Sequence, residues 1–436
     1  MSLRDAFVDR PLVAVTLLSL LLRLATTATI VAVQSVFPAF DASAARLSVP
    51  LSPRLEGLVR WDTVYFLEIA KTGYIHEQRL AFFLGLPALL RAGGQVLAWC
   101  RGEHNAALED MVIAGVGATT FATTAAALCL HRLTTALSMP ERYATITTAL
   151  FLLAPARSVL HAVPYTEPFS ALFTYAAMLA YVRHFDLLAA ALFAGGTLFR
   201  AQGAVLGIGF FGWRYLLEAP FQAKRFSIQR LVIGMLKTAI LALIAASPFL
   251  VFQHYAYRQF CLSTSAQRPW CSSLTGFSYG WVQRQYWDVG PFRYWTLQQL
   301  PNFILAAPML VLSFAASWSY YASQPRLVLA RSVPFLRLPR SACAPAPKGR
   351  PFLSPALLPF VHLHTATTVM LLVSAHVQII LRLCITNPVV WWYAADLVLD
   401  VDKGSRRRAW GARWVTYAVV WGSISVVLWA LFLPPA

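Results

Sequence analysis

The chain has 436 residues, of which 58% are hydrophobic and only 12% are charged. A soluble globular domain carries about 25% charged residues, so the composition excludes that class and indicates a polytopic membrane protein. The formal charge of +18 does not mark a nucleic-acid binder, because the Lys and Arg residues fall mainly in short clusters between apolar runs. That is the distribution of cytoplasmic loops.

Residues 12–36 are long enough to span a bilayer, which takes about 20 apolar residues. The run is too long for a cleavable signal and lacks an A-x-A site, so it stays as an anchor. Arg23 lies inside it and has two readings, contact with an anionic lipid phosphate or a partner within the bundle. Residues 37–110 follow as a long connection holding the stretch RWDTVYFLEIAKTGY (60–74) and a second apolar run at 80–100. Pro87, Arg91, Gly93 and Gly94 interrupt that run, which favours a re-entrant or interfacial segment over a full span.

Further spans are expected at 111–130, 143–160, 167–182, 185–199, 203–218, 231–252, 302–322, 357–385, 388–400 and 411–433, giving about eleven in all. The whole chain reads as one integral membrane domain without an internal repeat. The basic clusters AKRFSIQR (223–230), the Pro-rich stretch 324–356 and DKGSRRR (402–408) then share one face, cytoplasmic by the positive-inside rule. The opposite face collects the 37–110 connection, HAVPYTE (161–167), FRAQG (199–203) and a large loop at 253–301.

Polar residues hard to place in lipid converge on that opposite face. Asp62, Glu68, His76 and Glu77 come from the first connection. Arg157, His161, Tyr165 and Glu167 come from the second, and Arg200 and Gln202 from the third. The large loop adds Arg268, Trp270, Trp281, Tyr286, Trp287 and Asp288, among others. Aromatic rings among acids and amides suit a sugar, whose faces stack while its hydroxyls bond carboxylates. A sugar carried on a lipid phosphate needs a carboxylate to deprotonate the acceptor hydroxyl and cations for the departing phosphate. Asp62 is the best-placed base, and Arg200, with Arg60, Lys71 or His161, is expected to hold the phosphate. Glu68 is read as pairing on its own helix with Lys71 or Thr72. His161 and Glu167 flank the turn at Pro164 and also read as capping groups.

No metal or other cofactor is expected. A lipid-phosphate leaving group needs no nucleotide-metal motif, and the D-x-D at Asp400 and Asp402 reads as a solvated helix end. His362, His364 and His376 do not form a metal set, because 362 and 364 point to different helix faces. Of six cysteines, Cys100, Cys129, Cys343 and Cys384 are scattered. Cys261 and Cys271 share the polar loop CLSTSAQRPWC, read as a disulfide in preference to two unpaired thiols, in an oxidising compartment.

Several blocks together resemble the GPI mannosyltransferase II family of PIG-V type, in the GT-C class. They are RWDTVYFLEIAKTGY (60–74), the AFF run at 81–83, LAPARSVLHAVPYTEPFSALFTY (153–175), LFRAQGAV (198–205), RPWCSSLTGFSYGWVQRQYWDVGPFRYW (268–295) with LQQLPNFILAAPML (297–310), and HVQIILRLCITNPVVWWYAA (376–395). Leu84, Pro164 and the basic insert at 324–356 depart from the family pattern. The resemblance implies an all-α GT-C fold in the endoplasmic reticulum membrane with a lumenal active site. It implies transfer of the second mannose, in α-1,6 linkage, from dolichyl-phosphate-mannose to a mannosylated GPI-precursor glycolipid. Trp61 and Asp62 match its active-site pair, while Tyr165, Glu167, Arg200 and the Trp270 to Trp287 segment match further motifs. An auxiliary membrane subunit fits the same resemblance. Two other readings stand beside it: a different dolichyl-phosphate-sugar transferase, and a lipid or sugar transporter, which would show two-fold repeats and broken midplane helices.

Overall fold

The computed structural model describes residues 10–41, 51–221, 226–262, 268–336, 349–402 and 404–434. The basic cluster at 223–225, Cys343, Lys403 and the middle of the Pro-rich basic stretch lie outside them. The described chain is built from helices and turns. In order the principal helices are α1 (Pro11–Val36), α2 (Asp62–Thr72), α3 (Gly85–Cys100), α4 (Leu108–Ala136), α5 (Glu141–Leu152), α6 (Glu167–Val182), α7 (Asp186–Phe199), α8 (Gln202–Gly212), α9 (Ile228–Tyr257), α10 (Tyr279–Trp287), α11 (Leu300–Ser323), α12 (Leu358–Ser374), α13 (Pro388–Val398) and α14 (Arg406–Ala430).

Six of these, α1, α4, α9, α11, α12 and α14, are long and apolar enough, with their flanking turns, to cross a bilayer. Their outer faces carry exposed leucine, valine and isoleucine, such as Leu24 on α1, Leu243 on α9 and Ile304 on α11. That is a surface made for lipid, since water would penalise such a continuous apolar patch. Inside the bundle α4 packs on α3 and α6, α6 on α7, and α7 on α9.

Several boundaries differ from the sequence expectation. The 80–100 run is one unbroken helix from Gly85 to Cys100. Pro87 sits in its first turn, where a missing N–H costs nothing. Gly93 and Gly94 lie against Ala114 and Met111 of α4, at distances where a Cβ would collide at 2.8 Å. They allow close helix packing and do not break the helix. At 16 residues it falls short of a full span.

The 143–160 run divides instead, because Pro155 cannot continue α5, and a separate short helix follows at Arg157–His161. The 357–385 run likewise ends its long helix at Ser374, and residues 377–386 follow as three short turns. The basic stretch after 324 opens with a helix at Pro325–Ser332.

The second half of the far-side surface is fastened at both ends. Cys261 and Cys271 are bonded, with Cα atoms 5.7 Å apart. Beyond α10, the Gly290 and Phe292 N–H groups donate to the Ser374 and Val373 carbonyls at 2.9 and 2.7 Å. These bonds set α10 over the far-side end of α12.

The α7–α8 crossing leaves no room for a side chain at Gly203. A Cβ there would lie 2.6 Å from both the Phe193 carbonyl oxygen and the Thr197 nitrogen. Backbone cannot move aside as a flexible side chain does. Gly203→Ala is therefore expected to cost about 1–3 kcal/mol of stability by overpacking, read as a lower melting temperature of the detergent-solubilised protein. An unchanged melt would mean that α7 and α8 can separate freely.

Candidate active site

Asp62 is the first residue of α2, and the backbone before it is strained. Trp61 has φ +53° and ψ −128°, a conformation that a Cβ tolerates poorly. Such a residue costs on the order of 1–3 kcal/mol and persists only where surrounding contacts impose it. The Trp61 ring lies against Phe432 at 5.4 Å, and Trp429 Nε1 donates to the Gly57 carbonyl at 3.1 Å, tying the approach to α2 onto the end of α14. The helix then runs with Val64, Phe66, Leu67, Ile69 and Ala70 buried, and stops at Gly73, whose φ of +76° suits glycine.

Thr63 Oγ1 donates to the Pro164 carbonyl at 3.4 Å, which brings the HAVPYTE turn beside the start of α2. Tyr165 thereby reaches Asp62, donating its hydroxyl to Oδ2 at 2.7 Å. Burial, and then the Asp62 charge, hold the Tyr165 phenol well above its ordinary range, so it remains a neutral donor. Arg382 completes a triangle. Its Nη1 donates to Asp62 Oδ2 at 3.1 Å and to the Tyr165 oxygen at 3.0 Å.

Glu167, two residues past Tyr165, opens α6 and has no exposed surface. Its Oε1 accepts from Arg200 Nη1 at 2.6 Å and lies 3.7 Å from Arg382 Nε. Its Oε2 accepts from Thr166 Oγ1 at 3.1 Å. An isolated carboxylate at this depth would carry a severe desolvation penalty, and two guanidiniums offset it. The result is one chain of charges, Asp62 to Arg382 to Glu167 to Arg200.

Arg200 opens this network to a cavity of about 590 Å³, whose wall also includes Gln202, Tyr279, Gln283, His364 and Asn387. The rest of the wall is largely apolar and comes from α8, α12 and the turns after Ile379. That volume lies in the usual range of small-ligand sites, about 300–1,000 Å³. Gln202 is steadied by Thr386, which donates to its Oε1 at 3.1 Å.

The other residues singled out from sequence lie elsewhere. Arg60 is buried, with Nη1 on Glu56 at 3.2 Å and its guanidinium 5.2 Å from the Phe432 ring centre. Lys71 is exposed at the opposite end of α2, nine residues or about 13 Å along the helix from Asp62. His161 donates from Nε2 to the Leu152 carbonyl at 2.8 Å, and burial pushes its ring down to about 4, so it is neutral. The His161 carbonyl accepts from Arg23 Nη1 at 2.6 Å, which gives Arg23 a partner in the bundle. Glu68 pairs with Arg79 at 2.8 Å, and its carbonyl accepts from Thr72 Oγ1 on its own helix at 2.8 Å.

Trp270 is 2% exposed and donates from Nε1 to Glu77, which also accepts from the Tyr286 hydroxyl at 3.0 Å. Trp287 stands edge-on to Tyr65 and Phe82, at 5.8 and 5.6 Å. His362 meets Tyr321 and Ser332, His364 the Ser313 carbonyl, and His376 the Trp287 carbonyl. Asp400 accepts from Arg407 at 3.0 Å and Asp402 from the Gly404 N–H at 3.0 Å.

Residues 7–436 match the family described as Mannosyltransferase (PIG-V). The chain belongs to the PIG-V mannosyltransferase family. A protein named GPI mannosyltransferase 2 from Cryptococcus neoformans var. neoformans serotype D is 34% identical, over 92% of this chain and 92% of that protein. Proteins named GPI alpha-1,6-mannosyltransferase 2 from Cricetulus griseus and Homo sapiens are 34% and 31% identical, each over 80% of this chain and 74% of theirs. Among solved structures, an oligosaccharyltransferase from Archaeoglobus fulgidus aligns with a TM-score of 0.45 and 11% identity, covering 95% of this chain and 55% of that one.

Membership of the PIG-V mannosyltransferase family makes this chain a glycosyltransferase. Sequence reasoning missed Arg382, although it lies in the block 376–395. The signal was a guanidinium inside an apolar run, which lipid alone does not accommodate.

Glu167→Gln removes the negative charge that Arg200 and Arg382 share. Breaking a buried ion pair from one side costs about 3–5 kcal/mol; because Arg200 is 21% exposed, the lower end is expected here. Thermal melting of the purified variant measures it, and a melt within error of wild type would show that water already satisfies both cations.

Proposed function

We propose that the chain adds the second mannose to the GPI-anchor precursor in α-1,6 linkage, taking it from dolichyl-phosphate-mannose at the lumenal face of the endoplasmic reticulum membrane. The observation that carries this reading is the connected network itself. It sets a carboxylate that is 30% exposed at one end and a cavity-facing guanidinium at the other. The names of the relatives supply the acceptor and the linkage.

In this reading Arg200 and Gln202 meet the donor phosphate where they line the cavity. The apolar wall below them takes the first isoprene units of the lipid. Asp62 Oδ2 is held by Tyr165 and Arg382, and Oδ1 faces the acceptor. The 6-hydroxyl of the first GPI mannose gives its proton to Oδ1 as its oxygen bonds to the anomeric carbon of the donor. The bond from that carbon to the phosphate oxygen breaks on the opposite side, and the electron pair leaves with dolichyl phosphate. Arg200 is already charged and in place, so it stabilises the developing anion without rearrangement. Attack from behind on a β-linked donor yields the α product. Each lipid enters sideways from the bilayer, since both stay anchored in it throughout.

Asp62→Asn retains the shape and the hydrogen bond from Tyr165 but cannot take a proton. It is expected to lower kcat by about 10²–10⁴-fold, the usual contribution of a positioned base. Cells relying on this variant should accumulate GPI precursor bearing one mannose, visible by thin-layer chromatography of radiolabelled glycolipids. Wild-type turnover by Asp62→Asn would remove Asp62 from the base role. The membrane side is tested separately by introducing glycosylation sequons beside Asp288 and in the 402–408 cluster. Glycan on the first alone is expected, and glycan on the second alone would reverse the orientation.

A further inference from the structure

We infer that Arg382 is a positioning residue for the Asp62 carboxylate and takes no part in holding the donor phosphate, an inference that rests on the base role proposed for Asp62. The two guanidiniums share Glu167 Oε1 but differ in what else they face. Arg200 bonds it at 2.6 Å, is 21% exposed and lines the cavity. Arg382 is 13% exposed, and its neighbours Ile379, Ile380, Leu383 and Cys384 line the cavity while its own side chain does not. Its short helix, Ile380–Leu383, thus presents an apolar face to the cavity and carries the guanidinium to Asp62 and Glu167.

The hydrogen bonds have a fixed direction. Tyr165 has one proton, and it goes to Asp62 Oδ2 at 2.7 Å. Its oxygen is then free to accept from Arg382 Nη1 at 3.0 Å, and the same nitrogen donates to Oδ2 at 3.1 Å. The guanidinium also lies 5.4 Å from the Tyr165 ring centre. Two donors on Oδ2 stop the carboxylate from rotating and leave Oδ1 for the acceptor hydroxyl. Arg382 therefore acts on the proton-transfer geometry, and Arg200 on donor binding.

Kinetics separate the two roles. The full-length protein in lipid nanodiscs is assayed with dolichyl-phosphate-mannose and a synthetic one-mannose GPI glycolipid. Arg382→Met is expected to lose about 100-fold in kcat through misplacement of the base, with donor KM within about threefold of wild type. Arg382→Lys, which keeps the charge and one donor, should recover about tenfold of that loss. Arg200→Met is expected to raise donor KM as well as lower kcat, since it meets the phosphate in both the bound donor and the transition state.

In an Asp62→Asn background, Arg382→Met should cost nothing more, because its effect runs through the carboxylate. A donor KM raised by Arg382→Met, or losses that add to those of Asp62→Asn, would overturn the inference. Full activity in Asp62→Asn would instead overturn the base reading on which it rests. If Arg382→Met does not fold, the kcat and KM split of Arg382→Lys decides alone.

Discussion

A carboxylate buried without any exposed surface must be answered by positive charge, and Glu167 imposes that requirement on the whole far-side end of the bundle. One guanidinium comes from the residue that ends α7, the other from the turns beyond α12. The segments of Glu167 and Arg382, more than 200 residues apart in the chain, must therefore meet. Packing of α6 on α7 brings Arg200 into reach. The break in the long apolar run after Ser374 frees the backbone that carries Arg382. Were α12 to continue as a straight helix, Arg382 would be a cation on a membrane helix, and Glu167 would lose its second partner.

Asp62 is held in a different manner. It keeps 30% of its side-chain surface open, so it can meet a substrate, yet one of its oxygens is fixed by two donors. The strained backbone at Trp61 contributes to the same end. Relaxing φ to a negative value would swing the first turn of α2 away from Pro164 and Tyr165. The contacts that prevent it, Trp61 on Phe432 and Trp429 on the Gly57 carbonyl, come from the last turn of α14 and just beyond. The end of the chain thus sets the angle at which its first connection enters the site. Strain of a few kcal/mol is sustainable there because the surrounding bundle is extensively buried.

Much of this was legible in the sequence because charge is expensive in a membrane. Asp62, Tyr165, Glu167, Arg200 and Gln202 are polar residues clustered in far-side connections of the sequence, and the structure brings them into one region. Arg382 followed the same physics but was hidden by a hydropathy window, which sums apolar residues without testing whether they lie on one straight helix. Pro155 marked the break in the 143–160 run, whereas the break at Ala375 has no such marker. Gly93 and Gly94 misled in the other direction. Glycine lowers helix propensity in water, but against a neighbouring helix it permits close approach, and the sequence does not say which applies. Arg60 and His161 have the right chemistry for a phosphate; only packing reveals that they are turned to Glu56 and to the Leu152 carbonyl.

The aromatic residues of the large loop teach a related point about sugar recognition. A ring can stack on a pyranose only if one face is open. Trp270 is 2% exposed and bound to Glu77, so it acts first as a joint, whereas Trp287 is half-buried and stands edge-on to Tyr65 and Phe82. Glu77 is a second buried acid, answered by an indole, a phenol and Arg268 at 3.7 Å. It ties α10 to the first connection, while the bonds from Gly290 and Phe292 tie the segment after α10 to α12. Since Tyr279, Gly280 and Gln283 of α10 line the cavity, these joints fix the height of its roof above Arg200. In this fold Trp270 is one of the means by which that roof is held at a set distance from a cation.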